Sequence, residues 1–534
     1  MTRPGDITAT NDTGPAGGAH ARRTGMHGSP RLTLLSAALG VMMVAIDGTI
    51  VAVANPAIQS HLGASLADIQ WVTNGYLLAL AITLITIGKI GDRFGHKKVF
   101  LTGIVGFALT SAAVGLSGDI ANSIGLIIAF RILQGVFGAM LQPTALALLR
   151  ETFPIEKLNG AIGVWGAVIG ASTAAGPIVG GLLVQHLNWE SCFYVNVPVG
   201  VIALAIGLLV LRETPPSPAA RSFDIPGVTA LTAFLFLLVW ALIKGADYGW
   251  GSGRTIAFFA GAVVALALFI VRELRTDEPL LPLRLFRSLA LSAGTALVVT
   301  LMFALYGAMF FMTFFMENVH GLDPIATGVR LLPMTGMMIV GAPLAGQVIT
   351  KIGPRVPMVF GMALAAVALI GLSRLGLHSS LNDTILWFAL LGFGLSPVMV
   401  GGTEVIVGNA PVELAGVAGG LQSTAMQVGG TIGTAVLGGV MAATVNSELP
   451  LKWAAAHLPA LSPAQLAGVK SLAEVGVAPP ARKGVPAQIT AAMTDVTHSV
   501  FLNGMTESFV VAFAVAILGV LLALLTRKGH EVTH

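Results

Sequence analysis

Charge is scarce in this sequence. Asp, Glu, Lys and Arg make up 10% of 534 residues while hydrophobic residues make up 55%, against the roughly 25% charged residues of a soluble domain. A chain so composed cannot dissolve as a globule. Cysteine is almost missing: Cys192 stands alone, so no disulfide forms within the chain and a thiolate metal site lacks ligands. The eleven histidines are scattered, without the His-Glu-x-x-His spacing of a zinc enzyme. No Gly-x-x-x-x-Gly-Lys-Ser/Thr loop is present either; the nearest Gly-Lys pair, Gly88-Lys89, is followed by Ile90. ATP is therefore not expected as the energy source. The net charge of +4 is spread between apolar runs and not gathered into a patch, which argues against a nucleic-acid partner. With no nucleophile, metal or cofactor constellation in view, the reading is non-enzymatic, metal-free and cofactor-free.

What the chain has instead is apolar length. A membrane span needs about 20 mainly apolar residues, and fourteen candidates fit: 32–54, 70–90, 98–117, 122–149, 160–185, 193–211, 226–243, 256–271, 288–316, 327–349, 357–373, 384–409, 415–443 and 500–525. Residues 1–31 are rich in Gly, Thr, Pro and Ser and read as a disordered tail. The first apolar run imitates a signal peptide at Ala52-Val53-Ala54. It is longer than a signal core of about 7–15 residues and contains Asp47, so a retained span is expected. With both termini cytoplasmic, 20 of the 29 Lys and Arg residues fall in inner segments and eight in outer ones, half of these in one long loop. The remaining one, Arg131, lies inside a span; the asymmetry follows the positive-inside rule.

An internal echo divides the chain. Gly88-Lys-Ile-Gly-Asp-Arg-Phe-Gly95 is matched by Gly346-Gln-Val-Ile-Thr-Lys-Ile-Gly353, and Pro154-Ile-Glu156 by Pro411-Val-Glu413, each pair lying eight spans apart. Two parallel six-helix halves with two helices inserted between them give this pattern. The expected divisions are a tail at 1–31, a first bundle at 32–211, inserted helices at 212–287, a second bundle at 288–525 with an outer loop at 446–499, and a tail at 526–534.

On these residues the chain resembles the major facilitator superfamily, and within it the fourteen-span drug:proton antiporter family. Asp47-Gly-Thr49-Ile-Val51-Ala-Val-Ala-Asn-Pro56 is similar to the family's LDxTIVNVALP, departing at Ala52, where Asn is usual, and at Asn55, where Leu is usual. Gln70-Trp71-Val72 with Tyr76 opens the second span as in that family. Gly88 to Lys98, containing Asp92, Arg93 and Gly95, is similar to the superfamily loop GxLaDrxGrkxxl. The resemblance implies a latch in which Asp92 pairs with Arg93, Arg150 or a helix N-terminus; a plain cationic anchor is the alternative. Arg131-Ile-Leu-Gln134-Gly135 is similar to the fourth-span motif. Gly166, Gly170, Gly176-Pro177 and Gly180-Gly181 resemble the antiporter motif GxxxGPxxGG, a pivot by resemblance or simply small-residue packing. Trp189 to Gly200, with Phe193, Asn196 and Pro198, resembles the family's WRWIFxINVPIG.

A charge inside a span needs a partner, since an arginine at mid-helix costs about 2.5–3.5 kcal/mol on insertion scales. At about 1.5 Å per residue Asp47 and Arg131 reach similar depths from opposite sides, so they can meet. The pair is either structural or the proton-coupling centre, with Asp47 first among proton carriers. Glu317, Glu404 and Glu507 are further candidates for proton coupling, because burial favours the neutral carboxyl. Asn74, Gln134, Trp165, Met309 and Phe314 are candidate cavity residues; the Met and Phe stripe of the ninth span suits adaptable binding, though part of it must face lipid or other helices. The resemblance implies a monomeric multi-pass protein of the cell membrane that exports drug-like molecules by alternating access, driven by protons. A nutrient symporter and a lipid or cell-envelope precursor transporter are the alternatives.

Overall fold

The computed structural model describes residues 28–213, 224–276, 279–377, 379–380, 382–410, 415–480 and 486–526. The two terminal tails lie almost wholly outside the described residues. Within them the chain is helical without any strand. The helices are α1 (Pro30–Leu62), α2 (Leu66–Phe94), α3 (His96–Asp119), α4 (Ile124–Ala139), α5 (Leu141–Thr152), α6 (Ile155–His186), α7 (Ser191–Tyr194), α8 (Asn196–Val210), α9 (Ile225–Tyr248), α10 (Gly253–Arg275), α11 (Leu289–Phe314), α12 (Pro324–Ile352), α13 (Arg355–Leu372), α14 (Asp383–Gly408), α15 (Ala415–Ala455), α16 (Pro463–Glu474) and α17 (Ala487–Leu524). Among the described residues thirteen helical stretches are long and apolar enough to cross a membrane. The fourteenth expected span is α2, 29 residues long, whose end carries Lys89, Asp92 and Arg93.

Local chemistry sets the boundaries. Ser65 and Asp68 form a reciprocal capping box at the start of α2, satisfying two of the amides that a helix N-terminus leaves unpaired. Asp224, Ser252, Ser288 and Asp323 cap α9, α10, α11 and α12 in the same way from one side. Gly95, between α2 and α3, and Gly353, between α12 and α13, hold φ of 93° and 80°, a region costly for any residue with a Cβ. These are the corresponding glycines of the sequence echo. The span expected at 122–149 is broken at Met140 into α4 and α5, because Pro143 has no amide to donate to the preceding turn.

The packing repeats itself. In the first half α1 lies against α6 and α8, and α4 against α2 and α3; in the second, α11 lies against α15 and α17, and α14 against α12 and α13. The halves meet through α2 on α15 and α6 on α12, again a related pair. The inserted α9 and α10 pack on each other and reach the bundle through α9, which lies against α2 and α15. Trp71, Phe236 and Trp240 interlock there, with centroids 5.6–5.7 Å apart. At the other end of the hairpin, buried Asp224 accepts from Arg272 Nε at 2.7 Å. α10 leaves Val263, Val264 and Leu268 exposed, an apolar strip that suits lipid.

The two ends of the bundle differ. One, the basic face, exposes Arg93, Lys98, Arg150, Arg275, Arg284, Arg287, Lys351 and Arg355. Toward the opposite face α6 and α12 touch at glycines: a Cβ on Gly181 would stand 2.4 Å from the Pro324 carbonyl oxygen, and one on Gly328 would stand 2.4 Å from that of Pro177. Eleven residues is about three helical turns, so Gly170 lies below Gly181 on one side of α6, and Ile339 below Gly328 on one side of α12. There Gly170 has nothing near it and Ile339 is half exposed. The two helices part toward the basic face. The stretch 446–499, expected as one outer loop, instead holds the last turns of α15, the whole of α16 and the first turns of α17. It is fastened to the turn Phe315–Val319 that follows α11 by Asn318, which donates to the Val475 carbonyl at 2.7 Å.

Candidate functional site

Asp47 sits in the middle of α1 and Arg131 in α4, and both are buried to 0% and 1% exposure. Arg131 Nη1 donates to Asp47 Oδ2 at 2.5 Å and to Gln134 Oε1 at 2.8 Å, while its Nε donates to the Val72 carbonyl at 3.1 Å. Gln134 Nε2 donates to Asp47 Oδ1 at 2.9 Å, and Asn196 Nδ2 reaches the same oxygen at 3.5 Å. Asn196 is itself held by Ser111 Oγ at 3.0 Å. The guanidinium lies 4.1 Å from the centre of the Tyr76 ring, a cation–π contact that strengthens when water is excluded. Gln134 follows Arg131 by three residues, which places both on one face of α4. A buried ion pair is tolerated only when such hydrogen bonds satisfy its remaining atoms.

Beside this pair, between the two halves, lies a small recess. Its walls are Val51, Ala52 and Asn55 from α1, Thr73, Tyr76 and Leu77 from α2, Arg131 from α4, and Tyr306, Met309 and Phe310 from α11, with Thr434 of α15 closing one side. Asn55 Oδ1, Thr73 Oγ1 and Tyr76 Oη are buried without a hydrogen-bond partner. The recess thus combines an apolar slab with unpaired polar atoms and the nitrogen-rich side of an ion pair.

Of the residues singled out in the sequence, Asp47, Arg131 and Gln134 come together, and Met309 lines the recess. Asn74 lies next to it, accepting from Thr434 Oγ1 across the interface between halves. Phe314 is a turn farther along α11, buried against Phe310. Trp165 packs on the Val41 and Phe100 cluster of the first half. Glu317 lies in a π-helical turn, Phe315–Val319, at the far end of α11, with Oε1 buried and unpartnered. Glu404 is half-buried on α14, and Glu507 is exposed on α17, accepting from Thr444 Oγ1. These three carboxylates therefore stand apart from the Asp47 network. Gly176 and Gly180 press on α1 at Thr49 and Ile50, and Gly181 presses with Pro177 on α12. At the basic face Arg93 is exposed over the Phe94 ring and Arg150 is exposed; Gly88 and the side chain of Asp92 lie outside the described residues. Asn196, Ser111, Asn55 and Tyr306 were not singled out as site residues. Asn196 and Asn55 stood in quoted motifs, whereas nothing in the sequence marks Ser111.

A membrane-embedded pair of pseudo-symmetric helical halves around a central recess defines a transporter. Residues 37–434 match the family model described as Major Facilitator Superfamily, and the chain belongs to that superfamily, among its drug-resistance exporters. It is 56% identical over 98% of its length, and 96% of the relative's, to the tetracenomycin C resistance and export protein of Streptomyces glaucescens. It is 35% identical, over 79% of its own length and 78% of the relative's, to the multidrug resistance protein Stp of Mycobacterium tuberculosis. Among solved structures it resembles a bacterial homolog of the human lysosomal transporter Spinster, in an inward-facing and unoccupied conformation. That match has a TM-score of 0.60 at 18% identity and covers 93% of this chain and 98% of that one. An auto-inhibited POT family peptide transporter aligns with a TM-score of 0.62 at 15% identity, over 95% of this chain and 98% of that one. At such identities the likeness concerns the fold.

Proposed function

We propose that this protein is a proton-driven antiporter that exports antibiotic-like compounds through the cell membrane by alternating access, with Asp47 carrying the coupled proton. The observation behind this reading is the buried Asp47–Arg131 pair, whose cationic member also forms a wall of the recess. Protonation of Asp47 removes the charge that holds Arg131. The guanidinium keeps Gln134, the Val72 carbonyl and the Tyr76 ring but loses its counter-charge, so proton binding and recess occupancy act on one group. The positive-inside rule puts the basic face in the cytoplasm. The contacts of α6 with α12 at Gly181 and Gly328 then lie on the outer side of the membrane. Relatives named for antibiotic and multidrug resistance support the direction of transport.

The protein works as a monomer with the proton gradient as its energy source. One charge crossing 100 mV releases about 2.3 kcal/mol, enough for a nearly fiftyfold substrate gradient per proton. The test is proton flux in proteoliposomes under an imposed pH gradient, read by a trapped pH dye while ethidium and a dihydroxyanthraquinone are offered in turn. Substrate-dependent proton movement that vanishes in Asp47→Asn supports the reading. Substrate movement with no dependence on the gradient in the wild-type protein refutes antiport.

A further inference from the structure

We propose that the inserted α9–α10 hairpin is fixed to the second half and slips on the first, so that the ring contact at Trp71 is the joint that breaks when the outer side opens. The inference rests on alternating access and not on proton coupling. α9 lies along the seam between α2 and α15. Toward the outer side Trp71 of α2, Ile243 of α9 and Ala435 of α15 share one apolar cluster; deeper in, Leu78 of α2, Leu235 of α9 and Val428 of α15 share another. Directly across the seam, Gln70 Nε2 donates to the Thr434 carbonyl at 2.7 Å. The halves therefore cannot part here unless α9 lets go of one of them.

What holds α9 to each half differs in kind. Against α15 the two backbones touch: a Cβ on Gly439 would stand 3.0 Å from the Leu242 carbonyl oxygen, the close approach that glycine permits between helices. The Trp250 ring, on the outer turn of the hairpin, covers both Gly245 of α9 and Gly439 of α15, 2.6 and 3.2 Å from Cβ positions there. At the opposite end buried Glu273 of α10 accepts from the Leu280 and Leu281 amides at 3.3 and 2.9 Å. These residues lead into a 3-10 turn, Leu283–Arg287, whose Leu285 is buried in a cluster with Val298 of α11, Ile406 of α14 and Leu421 of α15. Both ends of the hairpin are thus tied to the second half. Against α2, by contrast, the outer contact is made by rings, Trp71 lying 5.7 Å from Phe236 and 5.6 Å from Trp240. Neither indole Nε1 has a hydrogen-bond partner among the described residues, although a buried indole usually finds one. Parting the rings gives up packing but no hydrogen bond, and it lets both N–H groups reach water or headgroups, where Trp is favoured. Loss and gain offset each other, which suits a contact that slides between two arrangements.

The test is pulsed electron–electron distance measurement on the purified full chain in nanodiscs, with Cys192→Ala as background. Spin labels replace Arg254 on the hairpin, Leu451 of α15 and Ile120 beyond the end of α3, all of them exposed. Opening is forced by Gly181→Leu, whose side chain meets the Pro324 carbonyl on α12. The Ile120–Arg254 distances are then expected to shift while the Arg254–Leu451 distances stay as they are. Trp71→Ala, without the glycine change, is expected to raise the shifted Ile120–Arg254 population roughly threefold to tenfold, the worth of an aromatic pair. Trp71→Phe keeps a ring and should restore most of the original distribution. Phe236→Ala, with a shift in the same direction expected, serves as the second variant if Trp71→Ala does not fold. A changed Arg254–Leu451 distance overturns the proposal, as does an Ile120–Arg254 distribution that stays fixed in both Gly181→Leu and the ring variant. Because the distances need neither gradient nor substrate, the two readings fail separately: export without proton coupling leaves the hairpin's attachment standing, and a hairpin that travels with the first half leaves antiport standing.

Discussion

Removing Arg131 alone should harm the protein more than removing it together with Asp47. In Arg131→Met the Asp47 carboxylate keeps Gln134 at 2.9 Å and Asn196 at 3.5 Å but loses its counter-charge, at 0% exposure. Breaking one member of such a buried pair costs about 3–5 kcal/mol, because the charge left behind is neither solvated nor paired. Asp47→Asn should cost less than Arg131→Met. The remaining guanidinium still has Gln134, the Val72 carbonyl and the Tyr76 ring. Replacing both, as Asp47→Leu with Arg131→Met, removes the two desolvation penalties together, and such exchanges are often neutral or stabilising by about 1–4 kcal/mol. The double variant should therefore be more stable than Arg131→Met, measured by SDS-induced unfolding in mixed micelles with tryptophan fluorescence as the signal. It should also be folded yet unable to move protons with substrate. Single-variant costs below about 1 kcal/mol would refute the burial argument, and coupled transport by the double variant would refute the assignment of Asp47.

Two further outcomes follow from the ends of the bundle. Gly181→Leu drives a side chain into the backbone of α12, where even a Cβ stands 2.4 Å from the Pro324 oxygen. At an overpacking cost of about 1–3 kcal/mol, the sealed arrangement should lose roughly tenfold in population. Spin labels at Leu187 and Ser380 in a Cys192→Ala background should then report longer distances, while Gly336→Ala, with open space around it, should leave them unchanged. Glu474, at the end of α16, is pushed up from 4.5 to about 7 by burial and then by the nearby charge of Asp247. Its folded form holds a proton that the unfolded form releases. The stability it contributes is therefore complete below pH 4.5 and is lost as the pH rises to about 7. Amide exchange over Pro463–Glu474, corrected for intrinsic rates, should be slower at pH 5 than at pH 8, and Glu474→Gln should remove the difference.

Apolar length was legible in the sequence because a helix alone satisfies its backbone in lipid, whatever its neighbours. The meeting of Asp47 and Arg131 was legible for a related reason. Helical rise is fixed at about 1.5 Å per residue, so depth can be counted from either membrane surface before any fold is known. Rotation about the helix axis cannot be counted in that way. α11 is apolar on every side, so no periodicity tells one face from another. Only the packing of α1, α2 and α15 around it turns Met309 and Phe310 to the recess and buries Phe314 behind them. The same holds for the polar atoms: Ser111 looks like any small residue of a span until Asn196 is placed 3.0 Å away. Glu317, Glu404 and Glu507 stood behind Asp47 as further candidates in sequence, and tertiary placement sets them apart from the Arg131 network. The sequence by itself determined how many helices cross and how deep each charge lies, because those depend on length along one axis. Which side chains share the recess, and which polar groups complete the shell around the ion pair, depend on how fourteen axes are turned toward one another, and only the tertiary structure decided that.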